Sequence, residues 1–284
     1  MIDEVKEERE MTDFDRIRNY YKNFDEKNRL TDSNSGKLEY FMTMSILDRI
    51  LPAEGSVLDL GGGAGAYSFP LAERGFKVTL ADLSEDLIRQ AADRKDEESC
   101  ENLVSCDVVN AVDLGIYSDA QFDAVLLLGP LYHLTEESER TRCVSEVHRV
   151  LKPGGIVVAA FIPYLSGSVG VFDRYFWHPN QVDTDNLRKV FDSGKFTNLQ
   201  ELGFQEGYYA TSDEIEKLFE ECGFRKELVR SIRGIGFGRE DSIYDLAEKN
   251  PEMFDAILSI INETSENKAV VEMCSHALYA GIRN

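Results

Sequence analysis

The sequence predicts an α/β fold in which a doubly wound, mostly parallel sheet carries helices on both faces. Strand-like and helix-like segments alternate between residues 56 and 161, which is the order of right-handed βαβ units. Two strand segments, residues 122–128 and 156–161, are continuously apolar, as parallel strands are when helices cover both faces. The first strand segment runs directly into three glycines, a turn that is typical of ligand-binding α/β sheets.

Residues 1–50 predict an N-terminal helical lid. One helix is expected around the aromatic residues Tyr20, Tyr21 and Phe24. A second helix is expected over residues 37–50, because apolar side chains recur there at helical spacing.

Residues 51–162 are expected to form the ligand-binding core of the sheet. In chain order its elements are a strand at 56–60, a helix at 65–74, a strand at 76–81, a helix capped by Ser84, strands at 103–106 and 122–128, a helix at 136–151 and a strand at 156–161. Pro153 and the two glycines after it predict a tight turn into the last of these strands.

Residues 163–210 predict an inserted cap, because this stretch is too rich in aromatic residues to be a solvated linker. Its consecutive Tyr175, Phe176 and Trp177 are candidates either for an apolar acceptor pocket or for the cap's own core. Residues 211–284 are expected to complete the sheet, with helices at 213–222 and 252–262 and strands near 226–232 and 277–283.

Composition limits the function classes. The formal net charge is −21 and no basic run is found, so nucleic acid is not an expected partner. No apolar run approaches the length of a membrane span, and the acidic first residues lack the apolar core of a secretory signal. Five cysteines without a CxxC pair indicate reduced thiols. These observations predict a cytoplasmic protein that does not bind membranes.

The glycine loop and three nearby aspartates form the candidate ligand site. Gly61 and Gly63 follow the first strand and allow a ligand to lie against bare backbone, at a helix N-terminus that attracts an anion. The loop alone does not distinguish a pyrophosphate from a carboxylate. Asp59, inside the strand, suits an ammonium group, and Asp82, at the end of the second strand, can accept both hydroxyls of a ribose. Asp107, after the third strand, can accept from an adenine amine.

Four stretches carry a family resemblance: DLGGGAGAYSFPLAERGFKVTLADLS, CDV, FDAVLLLGPLYHL and RVLKPGG. In this order and spacing they resemble the class I S-adenosylmethionine-dependent methyltransferase family, whose fold is Rossmann-like. The resemblance spans roughly residues 55–162. It implies a seven-stranded sheet whose last strand, here within SHALYAGIR, is antiparallel, and it implies S-adenosyl-L-methionine as the cofactor.

The resemblance also implies roles for individual residues. Gly61 and Gly63 correspond to the loop along the methionine part of the cofactor, and the additional Gly62 between them is expected to add flexibility. The remaining implied cofactor contacts are Asp82 with the ribose hydroxyls, Leu83 beside the adenine, Asp107 and Val108 at the adenine amine and ring, and the backbone near Leu128 at the methionine ammonium. Tyr21 and Arg29 resemble the segment that closes over the cofactor in many relatives.

Two residues after the fourth strand are the catalytic candidates. His133 is a candidate general base, because its ordinary pKa lies near physiological pH and the segment emerges at the ligand-binding edge of the sheet. The alternative is that His133 caps or packs against the next helix. Tyr132 is expected either to line the acceptor pocket or to pack. His276, which opens the last strand, is interpreted as structural, and the four scattered histidines predict no metal site.

The sequence therefore predicts a methyltransferase that transfers a methyl group to an oxygen, nitrogen or sulfur atom of a small molecule. Three alternatives stay open at this point: an NAD-dependent oxidoreductase, a methyltransferase for a nucleic acid or protein, and a non-catalytic protein that kept the cofactor pocket. The presence of Asp59 in the strand argues against a pyrophosphate and so against NAD. The sequence makes no prediction of the oligomeric state.

Overall fold

The computed structural model of the chain describes residues 12–23, 26–200 and 203–284, so Phe24 of the predicted lid lies outside the described residues. The helices are α1 Phe14–Asn23, α2 Asn34–Ile50, α3 Ser68–Glu73, α4 Glu85–Glu97, α5 Glu137–Val150, α6 Tyr164–Trp177, α7 Thr184–Ser193, α8 Ser212–Glu221, α9 Glu240–Lys249, α10 Pro251–Thr264 and α11 Lys268–Met273. The strands are β1 Ser56–Leu60, β2 Lys77–Asp82, β3 Leu103–Val108, β4 Phe122–Leu127, β5 Leu151–Phe161, β6 Lys195–Thr197, β7 Glu206–Tyr208, β8 Phe224–Ser231 and β9 Ala277–Arg283.

Seven strands form one sheet in the order β3-β2-β1-β4-β5-β9-β8. Strand β9 is antiparallel to both of its neighbours, and the other adjacent pairs are parallel. The predicted doubly wound, mostly parallel seven-stranded fold is therefore confirmed. After β1 the chain crosses to β2 on one side, and it later returns to β4 on the other side. The order of strands reverses at this point, and ligands of such sheets bind in the crevice that the reversal opens.

Strand β4 shows why continuously apolar runs marked the central strands. Ala124 and Leu126 point into the apolar layer on one face of the sheet, and Val125 and Leu127 point into the layer on the other face. All four side chains are fully buried. A strand with a core on both faces has no solvent side, so its sequence does not alternate between apolar and polar residues.

Two local predictions differ from the structure. The residues from Leu151 to Gly155 do not form a separate turn, because β5 begins at Leu151 and this part pairs with β4 through a shift in register. Gly154 has the expected positive φ of +76°, inside that irregular part of the strand. Helix α8 is capped by the Thr211 hydroxyl and by a reciprocal bond from Glu214, one residue earlier than the sequence suggests.

The inserted residues pack on a small core of their own, built from Val171, Val182, Val190, Phe196 and Tyr209. Both predictions for the three consecutive aromatics are wrong. Tyr175, Phe176 and Trp177 lie at the end of α6 and are 57%, 76% and 72% exposed. The inner face of α6 instead follows helical spacing, from the buried Ser168 and Val171 to the half-buried Arg174. In the part of the chain that the structure describes, no helix is long and apolar enough to cross a membrane.

Candidate functional site

A pocket opens where the strand order reverses, and we call it the switch-point pocket. Its floor is the glycine loop after β1, and its walls come from the ends of β2 and β4, from α1 and from residues 26–30. Its empty volume is about 940 Å³ and is continuous with solvent. Among the predicted residues, those that line it are Tyr21, Arg29, Asp59, Gly61, Gly63, Asp82, Leu83, Leu128, Tyr132 and His133.

The glycine loop is shaped by close packing. A Cβ atom on Gly61, which has φ +78°, would lie 2.4 Å from the Cδ atom of Pro130. A Cβ atom on Gly62 would lie 2.7 Å from the carboxyl carbon of Asp59. Gly62 is therefore explained by the Asp59 side chain beneath it, and not by the flexibility that the sequence suggested.

Asp59 presents an unpartnered oxygen at the pocket. The side chain is fully buried, and its Oδ2 atom accepts a hydrogen bond of 2.7 Å from the Ser68 hydroxyl. Its Oδ1 atom has no hydrogen-bond partner among the described residues. Burial raises the pKa of Asp59 to about 6, against the lowering effect of Ser68. A buried acceptor without a donor is rare in folded proteins and indicates that a ligand supplies the donor.

Asp82 closes the other side of the loop. Its two carboxylate oxygens accept backbone hydrogen bonds of 2.9 Å from Gly63 and 2.8 Å from Ser84. Burial raises the pKa of Asp82 to about 6, although these two bonds lower it. The backbone bonds hold the carboxylate at the pocket wall and leave lone pairs for further donors.

Asp107 and Val108 do not line the pocket. The Asp107 carboxylate accepts from the hydroxyls of Tyr117 and Ser105, at 2.9 and 3.0 Å, and Val108 is 51% exposed. The wall at this position consists of the next three residues in the chain, Val109, Asn110 and Ala111. The backbone turns in after β3, because the Val109 N–H donates to the carbonyl of Asp82 at 2.9 Å. Asp107 and Val108 therefore do not lie at the pocket wall, where the prediction expected them.

Arg29 belongs to a buried charge cluster that the sequence did not reveal. Its guanidinium donates from Nε to Glu26 and from Nη1 to Glu39, each at 2.8 Å. Burial lowers the pKa of Arg29, but the two carboxylates outweigh it and raise that pKa overall. His276 reaches the same Glu39 carboxylate at 3.4 Å. The cluster joins residues that are distant in sequence, so no local pattern reveals it.

His133 and Tyr21 form a hydrogen-bonded pair at the pocket wall. The Nε2 atom of His133 lies 2.9 Å from the Tyr21 hydroxyl, and its Nδ1 atom lies 3.3 Å from the carbonyl oxygen of Glu206. A carbonyl can only accept, so Nδ1 carries the proton and Nε2 accepts from Tyr21. Burial lowers the pKa of His133 to about 4, so the imidazole is neutral at pH 7. Burial also raises the pKa of Tyr21 well above its ordinary value.

A second cavity, the cap cavity, adjoins the switch-point pocket and has an empty volume of about 990 Å³ that is continuous with solvent. The two share four wall residues: Tyr21, Glu26, Arg29 and Tyr132. The remaining walls come from α6, from aromatic residues of the inserted segment and from His276. The interpretation of His276 as structural therefore left out its position at the cavity wall.

The structure is an α/β fold with one pocket at its strand switch point and a second cavity beside it. The family model for a methyltransferase domain matches residues 57–155. The protein YqeM of Bacillus subtilis, which is named as a methyltransferase, is 34% identical over 195 residues, which are 63% of this chain and 77% of that protein. The chain belongs to the class I S-adenosylmethionine-dependent methyltransferases, and its cofactor is S-adenosylmethionine.

Further relatives differ in their acceptors. The 2-phytyl-1,4-β-naphthoquinone methyltransferase of Arabidopsis thaliana is 31% identical over 63% of this chain and 67% of that protein. The tRNA 5-carboxymethoxyuridine methyltransferase of Escherichia coli is 29% identical over 45% of this chain and 50% of that protein. The solved PH0226 protein of Pyrococcus horikoshii has the same fold, with a TM-score of 0.60 and 19% identity over 93% of this chain and 98% of that one. Family membership excludes the NAD-dependent oxidoreductase and leaves the acceptor open.

Proposed function

We propose that this enzyme transfers the methyl group of S-adenosylmethionine to an oxygen, nitrogen or sulfur atom of a small molecule that binds in the cap cavity. The observation that carries this proposal is the shared wall of the two cavities, in which Tyr21 and Tyr132 face both. A cofactor in the switch-point pocket and an acceptor in the cap cavity then meet across that wall. In this proposal residues 1–50 act as the lid and residues 163–210 as the cap.

The residues of the switch-point pocket fit the cofactor. The unpartnered Oδ1 atom of Asp59 suits the ammonium of the methionine part, directly or through water. The carboxylate of Asp82 suits the ribose hydroxyls, with Leu83 and Asn110 towards the base. Arg29 uses Nε and Nη1 for its carboxylate partners, which leaves Nη2 to donate to the cofactor carboxylate. The proposed cofactor-binding surface is completed by Gly61, Gly63 and the backbone near Leu128.

When bound, the cofactor supplies a methyl group on a positively charged sulfur, and transfer breaks the carbon–sulfur bond while the acceptor atom forms the new bond to carbon. The chain's own residues hold the acceptor in line and receive its proton. His133 lines only the switch-point pocket, whereas Tyr21 lines both cavities. The proton of the acceptor therefore passes to the Tyr21 oxygen while the Tyr21 proton passes to Nε2 of His133. The predicted base thus acts through Tyr21, and with a pKa of about 4 it returns the proton to solvent.

A small acceptor is favoured over a polymer by enclosure and by charge. The cap cavity lies between the N-terminal segment and α6, and its wall includes side chains from both. The whole chain has a net charge of −21, which opposes a polyphosphate backbone. The quinone methyltransferase among the relatives is in line with a small acceptor, and the tRNA methyltransferase among them makes RNA the alternative to test.

The test is a transfer assay with S-adenosylmethionine that carries a radiolabelled methyl group. The purified enzyme is incubated in parallel with a metabolite panel, with bulk tRNA and with a denatured protein extract. We expect label in the small-molecule fraction. Label only in tRNA or protein would contradict the proposal. Asp82→Ala is the negative control, because loss of a buried hydrogen-bond partner weakens cofactor binding by about 1–3 kcal/mol.

A further inference from the structure

The cap cavity combines aromatic walls with two arginine side chains. Six aromatic side chains line it: Tyr20, Tyr21, Tyr132, Phe204, Tyr209 and Phe237. Its charged lining residues are Arg29, Arg174 and Glu26. Two of these three lining charges are positive, although the chain has a formal net charge of −21.

The two arginines differ in their partners. Arg29 pairs with the carboxylates of Glu26 and Glu39. The Arg174 guanidinium instead donates to the neutral side chain of Gln181, at 3.1 Å, and lies 4.8 Å from the centre of the Phe196 ring. Within residues 12–23, 26–200 and 203–284, no carboxylate forms an ion pair with Arg174. A guanidinium offers paired donors in a plane, which is the geometry that binds a carboxylate.

We infer that the acceptor is a planar aromatic compound with one carboxylate-type anionic group, and that Arg174 binds this group while the aromatic walls hold the ring. This inference rests on the proposed function, because it assigns the acceptor of that same cavity. Flat rings gain from contact with aromatic side chains, and a bound anion pairs with the Arg174 guanidinium, which has no carboxylate partner among the described residues. Arg174 thus determines which small molecules are accepted.

Helix α6 offers a way to block the cavity without disturbing its walls. Gly170 lines the cap cavity, and a Cβ atom built on it meets no atom within 4 Å. Leucine forms helices better than glycine does, so Gly170→Leu is expected to fill the cavity and keep α6 intact. Val169→Leu is the matched control, because it adds bulk at a neighbouring position that is 40% exposed and does not line the cavity.

The test measures binding to the enzyme saturated with S-adenosylhomocysteine, by calorimetry. The probes are 6-hydroxy-2-naphthoate, the matching uncharged naphthamide, and a saturated two-ring carboxylate. We expect the aromatic acid to bind about tenfold or more tightly than either other probe, since a charge-assisted pair at a partly enclosed site supplies that factor. Arg174→Gln should remove the preference for the acid over the amide, and Arg174→Lys should restore part of it. Retained S-adenosylhomocysteine binding and an unchanged melting temperature show that the variants are folded.

Equal affinity for the three probes, or an acid preference that survives in Arg174→Gln, would overturn the inference. The transfer assay separates this failure from failure of the proposed function. Methylated products that are neutral or non-aromatic, and that disappear in Gly170→Leu but not in Val169→Leu, would overturn only the acceptor class. Label in tRNA that persists in Gly170→Leu would overturn the proposed function itself.

Discussion

The hydrogen bond between Tyr21 and His133 links the two cavities at the scale of single residues. The Glu206 carbonyl fixes the imidazole tautomer, because it can only accept a hydrogen bond from Nδ1. The Nε2 atom is then left to accept a hydrogen bond from Tyr21. A buried imidazole with a pKa of about 4 is neutral throughout the physiological range. In the proposed mechanism, His133 orients the Tyr21 hydroxyl and accepts a proton only through it.

Tyr21→Phe is expected to lower kcat by about 100-fold, which is within the range for loss of general-base help, and to change S-adenosylhomocysteine affinity by less than about threefold. His133→Ala should lower kcat similarly, because the tyrosine then has no proton acceptor. Steady-state kinetics and calorimetry measure the two effects. Tyr40→Phe is the control, since Tyr40 stacks on Tyr67 and does not line either cavity. An unchanged kcat in Tyr21→Phe would exclude the proton route.

The two aspartates of the switch-point pocket predict how cofactor affinity depends on pH. Both have a pKa of about 6, so both carboxylates are ionised at pH 7.5 and largely protonated at pH 5. Cofactor donors require the ionised forms. Affinity for S-adenosylhomocysteine should therefore fall as the pH falls through 6, by about tenfold per group at pH 5. Calorimetry across this range measures it.

The raised pKa values of the two aspartates also affect the folding stability of the protein without cofactor. This stability falls as the pH rises, whereas cofactor affinity increases. Between their ordinary pKa near 4 and their folded pKa of about 6, Asp59 and Asp82 hold protons that the unfolded chain has released. Their contribution to stability is present at low pH and is lost as the pH rises through 6.

A cofactor affinity that does not change between pH 7.5 and pH 5 would contradict the assignment of both aspartates. Asp59→Asn should remove part of the dependence.

At the scale of elements, helix α1 is held on the core largely by hydrogen bonds. The Thr12 hydroxyl donates to the buried carboxylate of Glu139, and the Asp13 N–H donates to Glu206 at 2.7 Å. Arg16 reaches Gln205 at 2.8 Å, and Ile17 contributes a buried apolar side chain. Because α1 carries Tyr21, these bonds position part of the shared wall of the two cavities.

Thr12→Val is expected to loosen α1 without disturbing the sheet. The substitution keeps the shape of the side chain and removes a donor to Glu139, which is only 3% exposed. Hydrogen exchange should become faster in α1 and stay unchanged in β4, and S-adenosylhomocysteine affinity should fall by about tenfold, as loss of one buried charged hydrogen bond implies. Thr264→Val on α10 is the control. Unchanged exchange in α1 would show that these bonds do not hold the helix.

The elements also show what the sequence was able to predict. Strands β1 and β9 were predicted at their observed bounds, because apolar runs bounded by glycine or polar residues are local signals. Helices α9 and α11 were missed, since their sequences are charged and short. The positions of the glycine loop, Asp59 and Asp82 in the site could be predicted from the sequence, because the ends of strands fix them. The positions of Glu26, Arg174 and His276 at the cavities could not be predicted, because only the tertiary packing brings them there.

At the scale of the whole molecule, the large negative charge affects stability. The formal net charge is −21, so the excess negative side chains repel one another in the folded state. Salt screens this repulsion. The melting temperature should therefore rise by a few degrees between about 20 and 500 mM sodium chloride. Thermal unfolding in the two buffers measures this shift. A melting temperature that is constant or falls would show that local ion pairs outweigh the overall repulsion.

The central claim is that the switch-point pocket binds the cofactor and the cap cavity binds the acceptor. A crystal structure of the S-adenosylhomocysteine complex tests this claim most directly. We predict the ribose hydroxyls at Asp82, the amino group at Oδ1 of Asp59, and the sulfur facing the wall formed by Tyr21 and Tyr132. The cap cavity should remain accessible beyond that wall. A complex with the nucleoside in the cap cavity, or with Asp59 and Asp82 making no contact to it, would contradict the account.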